Sequence, residues 1–351
     1  MNRVPSISSL LRAAIGAGLG LVLTSGAVAA RTGSSFTYKD WSLDCDNTGT
    51  CRASGYSAET DDTAASVLIT RLAGAGAAID VQLAFGGQGE QGEPPEGPVR
   101  MTVAGHPAGT VVGGRSVSPA QAAALLKAFL GNGAVAFAAG GGHWRVSGDG
   151  AAAVLLKMDD VQGRVGTPGA LVKKGDRPEA AVPGPARPPV IQAVRVAPSS
   201  PSDRALALRV LASVPKNDDD CPLLAELPAA GKGDADGVEL WRLGGGRVLV
   251  STTCWQAAYN AGNGYWIARD KPPYDAKLVT AQADSFAPEL GELSSTMKGR
   301  GVGDCMSTAS WVWDGQAFVH ATETTTGQCR GVAPGGAWDL PTLVSEVRKP
   351  R

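Results

Sequence analysis

The chain has 351 residues and a formal charge of -1 at pH 7, with 43% hydrophobic and 19% charged residues. That length suits two domains of roughly 100 to 200 residues each, and a near-neutral balance leaves no sequence-wide basic field to hold nucleic acid. Its 47 Gly and 23 Pro stay below a low-complexity composition of roughly 25 to 30% and favour short strands joined by many turns.

Residues 1–30 have the form of a cleavable signal peptide. Arg3 and Arg12 are basic, Ala13 to Leu23 is apolar, and Ala27-Val28-Ala29 or Val28-Ala29-Ala30 offers small residues for cleavage. The apolar run is shorter than the roughly 20 residues of a spanning helix, so the expectation is a periplasmic or secreted protein with no integral membrane segment after cleavage. The first cysteine is Cys45, which leaves none for a lipid anchor at the mature N-terminus. Six cysteines in an exported chain read as disulfides. Several connectivities are open, and the sequence-local pairing is the simplest: Cys45 with Cys51, Cys221 with Cys254, Cys305 with Cys329. A redox or zinc centre is disfavoured, because no C-x-x-C occurs and His106, His143 and His320 are scattered.

The first domain is expected over 31–172. In FTYKDWSLDCDNTGTCRASGY, strand-forming runs at Phe36 to Cys45 and Cys51 to Tyr56 flank a polar DNTGT turn, a hairpin tied by its own cysteines. Further strands are read at Val67 to Leu72, Ile79 to Phe85 and Val99 to Val103, with GGQGEQGEPPEGP as a loop. A helix follows with full punctuation: Ser118 as cap, Pro119 in the first turn, Gln121 completing a capping box and Gly131 closing it. Its Leu125, Leu126, Phe129 and Leu130 recur at one-turn spacing. Two strands, Ala134 to Ala138 and His143 to Ser147, precede a second helix starting after Asp149. That helix should turn Val154, Leu155, Met158 and Val161 inward, and Lys157, Asp159 and Asp160 outward. Residues 173–202 are Pro-rich, extended and without a core of their own, although Val190 to Val196 can lay down one strand.

A second domain, 203–351, reads as nearly all β, apart from a short helical turn at Pro222 to Leu227. Glu239 to Leu243 and Arg247 to Cys254 form one hairpin pattern, and NAGNG marks another turn. In WVWDGQAFVH, Asp314-Gly315 suits a two-residue turn, which would set Trp313 against Gln316 and Trp311 against Phe318. Pairing Cys305 with Cys329 then requires the chain to turn back near Thr326 and Gly327. The expected class is α+β and β-rich: an N-terminal antiparallel sheet with two helices, then a domain of antiparallel hairpins.

Three blocks, YKDWSLDCDNTGTCRASGY, LLKMDDVQGRVGTPGAL and ELSSTMKGRGVGDCMSTASWVWDGQAFVHATETTTGQCRG, resemble the bacterial family catalogued as domain of unknown function 1176. The likeness covers most of the mature chain and implies an exported protein. The first half, with its Cys-containing entry hairpin and VSGDGAAAVLL, also resembles the invasion-associated locus B family of periplasmic proteins. Neither resemblance implies a catalytic residue set.

No G-x-S-x-G, H-E-x-x-H or G-x-x-x-x-G-K-[ST] occurs, and LAGAGAAID lacks a dinucleotide fingerprint, so no cofactor is expected. Asp218, Asp219 and Asp220, and the calcium-like Asp234-Ala235-Asp236-Gly237, read as solvated turns, since Lys232 and Leu243 fall where acids belong. Tryptophan is concentrated beyond the linker, at Trp241, Trp255, Trp266, Trp311, Trp313 and Trp338. These rings suit a core, or in part a groove for sugar or peptide, with Tyr259, Asn260, Asn263, Tyr265 and Trp266 as its candidate residues. The expectation is a non-catalytic binding protein of the cell envelope, its ligand a protein, glycan or peptidoglycan. One alternative is an envelope hydrolase using carboxylates such as Asp304 or Asp314. Another is a secreted enzyme inhibitor presenting the DNTGT turn as a protruding loop.

Overall fold

The computed structural model describes residues 32–87, 97–111, 113–216, 219–227 and 237–350. The proposed signal peptide, most of the GGQGEQGEPPEGP spacer, Asp218 and the Asp234–Asp236 stretch lie outside the described residues. The class is as expected, β-rich with few helices and several antiparallel sheets.

Five strands, β1 (Ser34–Tyr38), β2 (Trp41–Cys45), β3 (Cys51–Tyr56), β4 (Ala65–Arg71) and β5 (Ile79–Phe85), form an antiparallel meander in sequence order. The long first strand read from sequence is broken in two, because Lys39 takes a left-handed φ of 55° and Tyr38 pairs back onto Trp41. A second sheet has the order β7-β6-β8-β9, from β6 (Val99–Val103), β7 (His106–Val111), β8 (Val135–Ala139) and β9 (Gly142–Val146). Helix α1 (Pro119–Leu130) carries the expected capping box between Ser118 and Gln121 and ends at Gly131. Helix α2 is Ala151–Val161. One core joins all four layers: Trp41, Leu43 and Leu83 from the meander, Phe137 from the second sheet, Phe129 from α1 and Met158 from α2.

Asp159 departs from expectation. It is fully buried, not outward, and its Oδ2 accepts the backbone N–H groups of Leu171 (2.8 Å) and Val172 (2.9 Å), while Oδ1 stands 3.6 Å from Arg71. Arg164, equally buried, donates to the carbonyls of Leu72 and Gly74 and pairs with Glu179 at 3.1 Å. These buried charges fasten the glycine- and proline-rich chain after α2 to the end of the meander. Burial holds the Arg71 and Arg164 guanidinium groups below their ordinary pKa, against the pull of the facing carboxylates.

Beyond the Pro-rich segment lie α3 (Arg204–Ala212) and a sheet of β11 (Glu239–Gly244), β12 (Arg247–Gln256), β13 (Ala261–Arg269) and β14 (Lys277–Ala283). A further sheet runs β15 (Ser285–Ala287), β16 (Glu292–Lys298), β17 (Met306–Trp313), β18 (Phe318–Thr325) and β19 (Leu340–Leu343). The two sheets face each other through Trp241, Leu249, Tyr265, Leu293 and Trp313. Strand alternation sends Val248, Val250 and Trp266 to the opposite face, where they meet α3 through Val210 and Leu211. Helix α3 was not read from sequence. At nine residues it spans too few turns for its apolar period to stand out from the Pro-rich stretch beside it.

Within the Pro-rich stretch, β10 (Val190–Gln192) pairs in parallel with β20 (Glu346–Arg348). Ile191 and Ala193 pack under Val312 and Ala321, and Val196 enters the core between the sheets, so this segment does contribute buried residues. The β17–β18 hairpin also differs in register. Trp313 faces Phe318 and Trp311 faces His320, with a four-residue connection in which Asp314 Oδ1 accepts the N–H groups of Gln316 and Ala317. Disulfides join Cys45 to Cys51, Cys221 to Cys254 and Cys305 to Cys329.

Candidate functional site

The stretch after β18 does not stay with its own sheet. It crosses to the outer face of the meander as a strap, and its residues explain why. Gly327 has a φ of +96°, and a Cβ there would sit 1.9 Å from the Tyr56 hydroxyl, so both backbone geometry and space require glycine. The next residue, Gln328, donates its N–H to that hydroxyl (3.1 Å) and its side-chain amide to Ser42 Oγ (2.9 Å). Cys329 is tied to Cys305, and Arg330 pairs with Asp40 at 3.1 Å. Further along, Trp338 Nε1 donates to Ser66 Oγ at 2.7 Å. Tyr56, Leu68, Val332, Trp338 and Leu340 then form a separate buried cluster. Burial in it raises the Tyr56 phenol above its ordinary pKa.

This strap covers the second face of the meander, which is why every residue of β2 is buried instead of every other one. Where the strap leaves the sheet, a cleft of about 420 Å³ opens between β5, the approach to α1 and the strap itself. Leu83, Phe85, Val332, Ala333 and Ala337 make its apolar wall, and Arg115 stands at the rim. The cleft is held from both sides: Leu83 N–H donates to Arg115 O at 2.7 Å, and Gly331 N–H donates to Asp304 Oδ2 at 2.6 Å. An apolar concavity with a cationic rim can bind a small or extended ligand by burial; nothing in its lining supplies a nucleophile.

The five residues expected to line a groove do not line one open surface: only Asn263 and Tyr265 meet through their side chains. Tyr265 and Trp266 are neighbours on β13 and so face opposite ways, each into a core, with Tyr265 against Trp241 and its phenol pushed up to about 12 by burial. A ring buried in a core has no free face to stack on a ligand. Asn260 is occupied structurally, exchanging two hydrogen bonds of 2.9 Å with the backbone of Lys298. Asn263 donates to Asp284 O, and Tyr259 alone is exposed.

The alternative carboxylates do not form a pair. Asp304 is gripped by both ends of the Arg300 guanidinium, at 2.6 and 2.5 Å, and this pairing holds its carboxyl below the usual range. Asp314 caps its own hairpin. The DNTGT turn does not protrude: Asp46 and Asn47 are buried, Asn47 exchanges hydrogen bonds with the Val344 backbone, and Thr48 O accepts from Ala186 N–H. Among the described residues, no group of three or more His, Cys, Asp or Glu is placed to hold a metal ion, and no helix is long and apolar enough to cross a membrane. The seam cleft was not foreseen, because its walls come from three separated stretches of chain; the dense Gly and Ala of GVAPGGAW was its only local signal.

Residues 35–345 match the family described as protein of unknown function (DUF1176), and the chain belongs to that family. Among curated proteins it is similar to uncharacterized protein YpfG of Escherichia coli strain K12, with 27% identity over 336 residues, covering 87% of this chain and 91% of that protein. No solved structure matches the chain.

Proposed function

We propose that this protein is an exported, non-catalytic binding protein of the bacterial cell envelope that holds its ligand, a protein segment, glycan or peptidoglycan, in the seam cleft. In this reading residues 1–30 are removed on export, and two modules, 31–172 and 203–351, are joined by 173–202. The observation that carries it is the apolar cleft between β5 and the strap, with Arg115 at its rim. Three disulfides suit an oxidising compartment, and the engagement of Asp304 and Asp314 in structural hydrogen bonds favours binding over carboxylate hydrolysis.

The test is to fill the cleft with Ala333→Trp and compare what the wild-type and variant proteins retain from envelope extract, identified by mass spectrometry. The wild type should retain a species that the variant loses while its near-UV circular dichroism is unchanged. If both retain the same species, ligand capture does not use this cleft.

A further inference from the structure

Between Gly97 and Gly148 the sequence contains Arg100, Arg115, Lys127 and Arg145 and not one Asp or Glu, in a chain whose overall charge is -1. All four strands of the β7-β6-β8-β9 sheet come from this stretch. One face of that sheet is the apolar core; the other is open to solvent, and pairing dictates its pattern. Arg100, Ala138 and His143 stand side by side across β6, β8 and β9, and Thr102, Ala136 and Arg145 form the next row. Paired residues on adjacent strands share a face, and Arg100, Ala136, His143 and Arg145 are exposed.

The central strand therefore offers only alanine methyl groups, while longer side chains rise on both flanks. With neighbouring strands about 4.8 Å apart, these flanks stand about 10 Å from each other. The result is a shallow groove one strand wide, running along β8, with cationic side chains on either side. Arg100 and Arg145 make no ion pair among the described residues. The acidic loop 59–62 runs beyond the far edge of β9, anchored by Thr63 Oγ1 to His143 O at 2.7 Å. There Glu59 is drawn toward Arg330 and Asp61 accepts the N–H of Ala58, leaving Asp62 without a partner among the described residues.

We propose that this groove binds a linear polyanion, an acidic polysaccharide laid along β8 with its carboxylates or phosphates between Arg100 and Arg145. A narrow trough with an alanine floor admits a single polymer chain, and its one-sign walls attract repeated negative charges. A flat anionic bilayer is the poorer match, since recognition of such surfaces uses clusters of about 4 to 8 Lys or Arg. The proposal concerns a different surface from the seam cleft and stands independently of it.

The test uses polygalacturonate as probe, with neutral dextran and phosphatidylglycerol vesicles as comparators, by titration calorimetry of the full oxidised protein at low ionic strength. Polygalacturonate should bind, weaken as salt is raised, and lose about tenfold or more in affinity in the Arg100→Glu, Arg145→Glu double variant. Ala138→Trp, which blocks the floor without changing charge, should weaken binding as well. The double variant alters two exposed positions and Ala138 is half-buried on the same open face; unchanged melting curves would show that both variants remain folded. Ala333→Trp should bind the polymer as the wild type does, which separates this groove from the cleft. No binding of polygalacturonate, undiminished binding by either groove variant, or capture of vesicles in preference to the polymer overturns the proposal.

Discussion

Asp159 and Asp160 are adjacent on α2 and have opposite fates. Asp160 is exposed beside Lys157, whereas Asp159 is sealed against Arg71 and two backbone N–H groups. Their periodicity contained this distinction: Asp159 lies one turn after Leu155 and next to Met158, inside the buried arc of the helix. Its charge argued for solvent, and only the acceptor needs of Leu171 and Val172 reversed that. Replacing Asp159 by Ala strands a buried guanidinium and two amides, so it should cost about 3 to 5 kcal/mol of stability. Asp160→Ala should stay within about 0.5 kcal/mol. Urea denaturation of both variants measures the difference, and equal small losses would contradict the buried pairing.

The strap depends on Asp304 as well as on its disulfide. Arg300 grips the carboxylate from one side, Gly331 N–H donates from the other, and the folded-state pKa is depressed. A depressed carboxyl contributes stability that is complete above the ordinary Asp range and is lost as pH falls through its lowered value. Asp304→Asn should therefore be less stable than the wild type at pH 7 by about 1 to 2 kcal/mol, discounted for the half-exposed Arg300. That difference should shrink on acidification; denaturation curves from neutral to acidic pH would show it, and a gap that stays constant would place the strap's strength elsewhere. At this scale much was readable in advance. Ser118, Pro119 and Gln121 marked α1, and the spacing of Cys45 and Cys51 marked the β2–β3 hairpin. Gly327 marked the turn that lets Cys329 reach Cys305. Register was less legible: the Asp314-Gly315 pair suits a two-residue turn, but the aromatic packing of Trp313 on Phe318 is realised with a four-residue one.

The early and late parts of the described chain are interlocked. Tyr56 meets Gln328, Ser66 meets Trp338 and Asn47 meets Val344, pairs separated by 272 or more positions. The meander thus has one face in the core it shares with α1 and α2 and the other under the strap. Unfolding either half exposes surface that the other half covers, so heat or urea should produce one transition in which tryptophan fluorescence and far-UV circular dichroism coincide. Two resolved transitions would mean that the strap contributes little coupling between the halves.

The sequence by itself marked many of the strands, two of the three α-helices among the described residues and the β-rich class, and it offered the sequence-local cysteine pairing as the simplest of several, because each follows from periodicity, capping or short-range geometry. Tertiary structure decided which faces are covered, where Asp159 and Tyr265 point, and where a cleft remains. Those outcomes depend on contacts between residues far apart in the chain, and a side chain's own chemistry cannot specify the partner that will arrive to bury it.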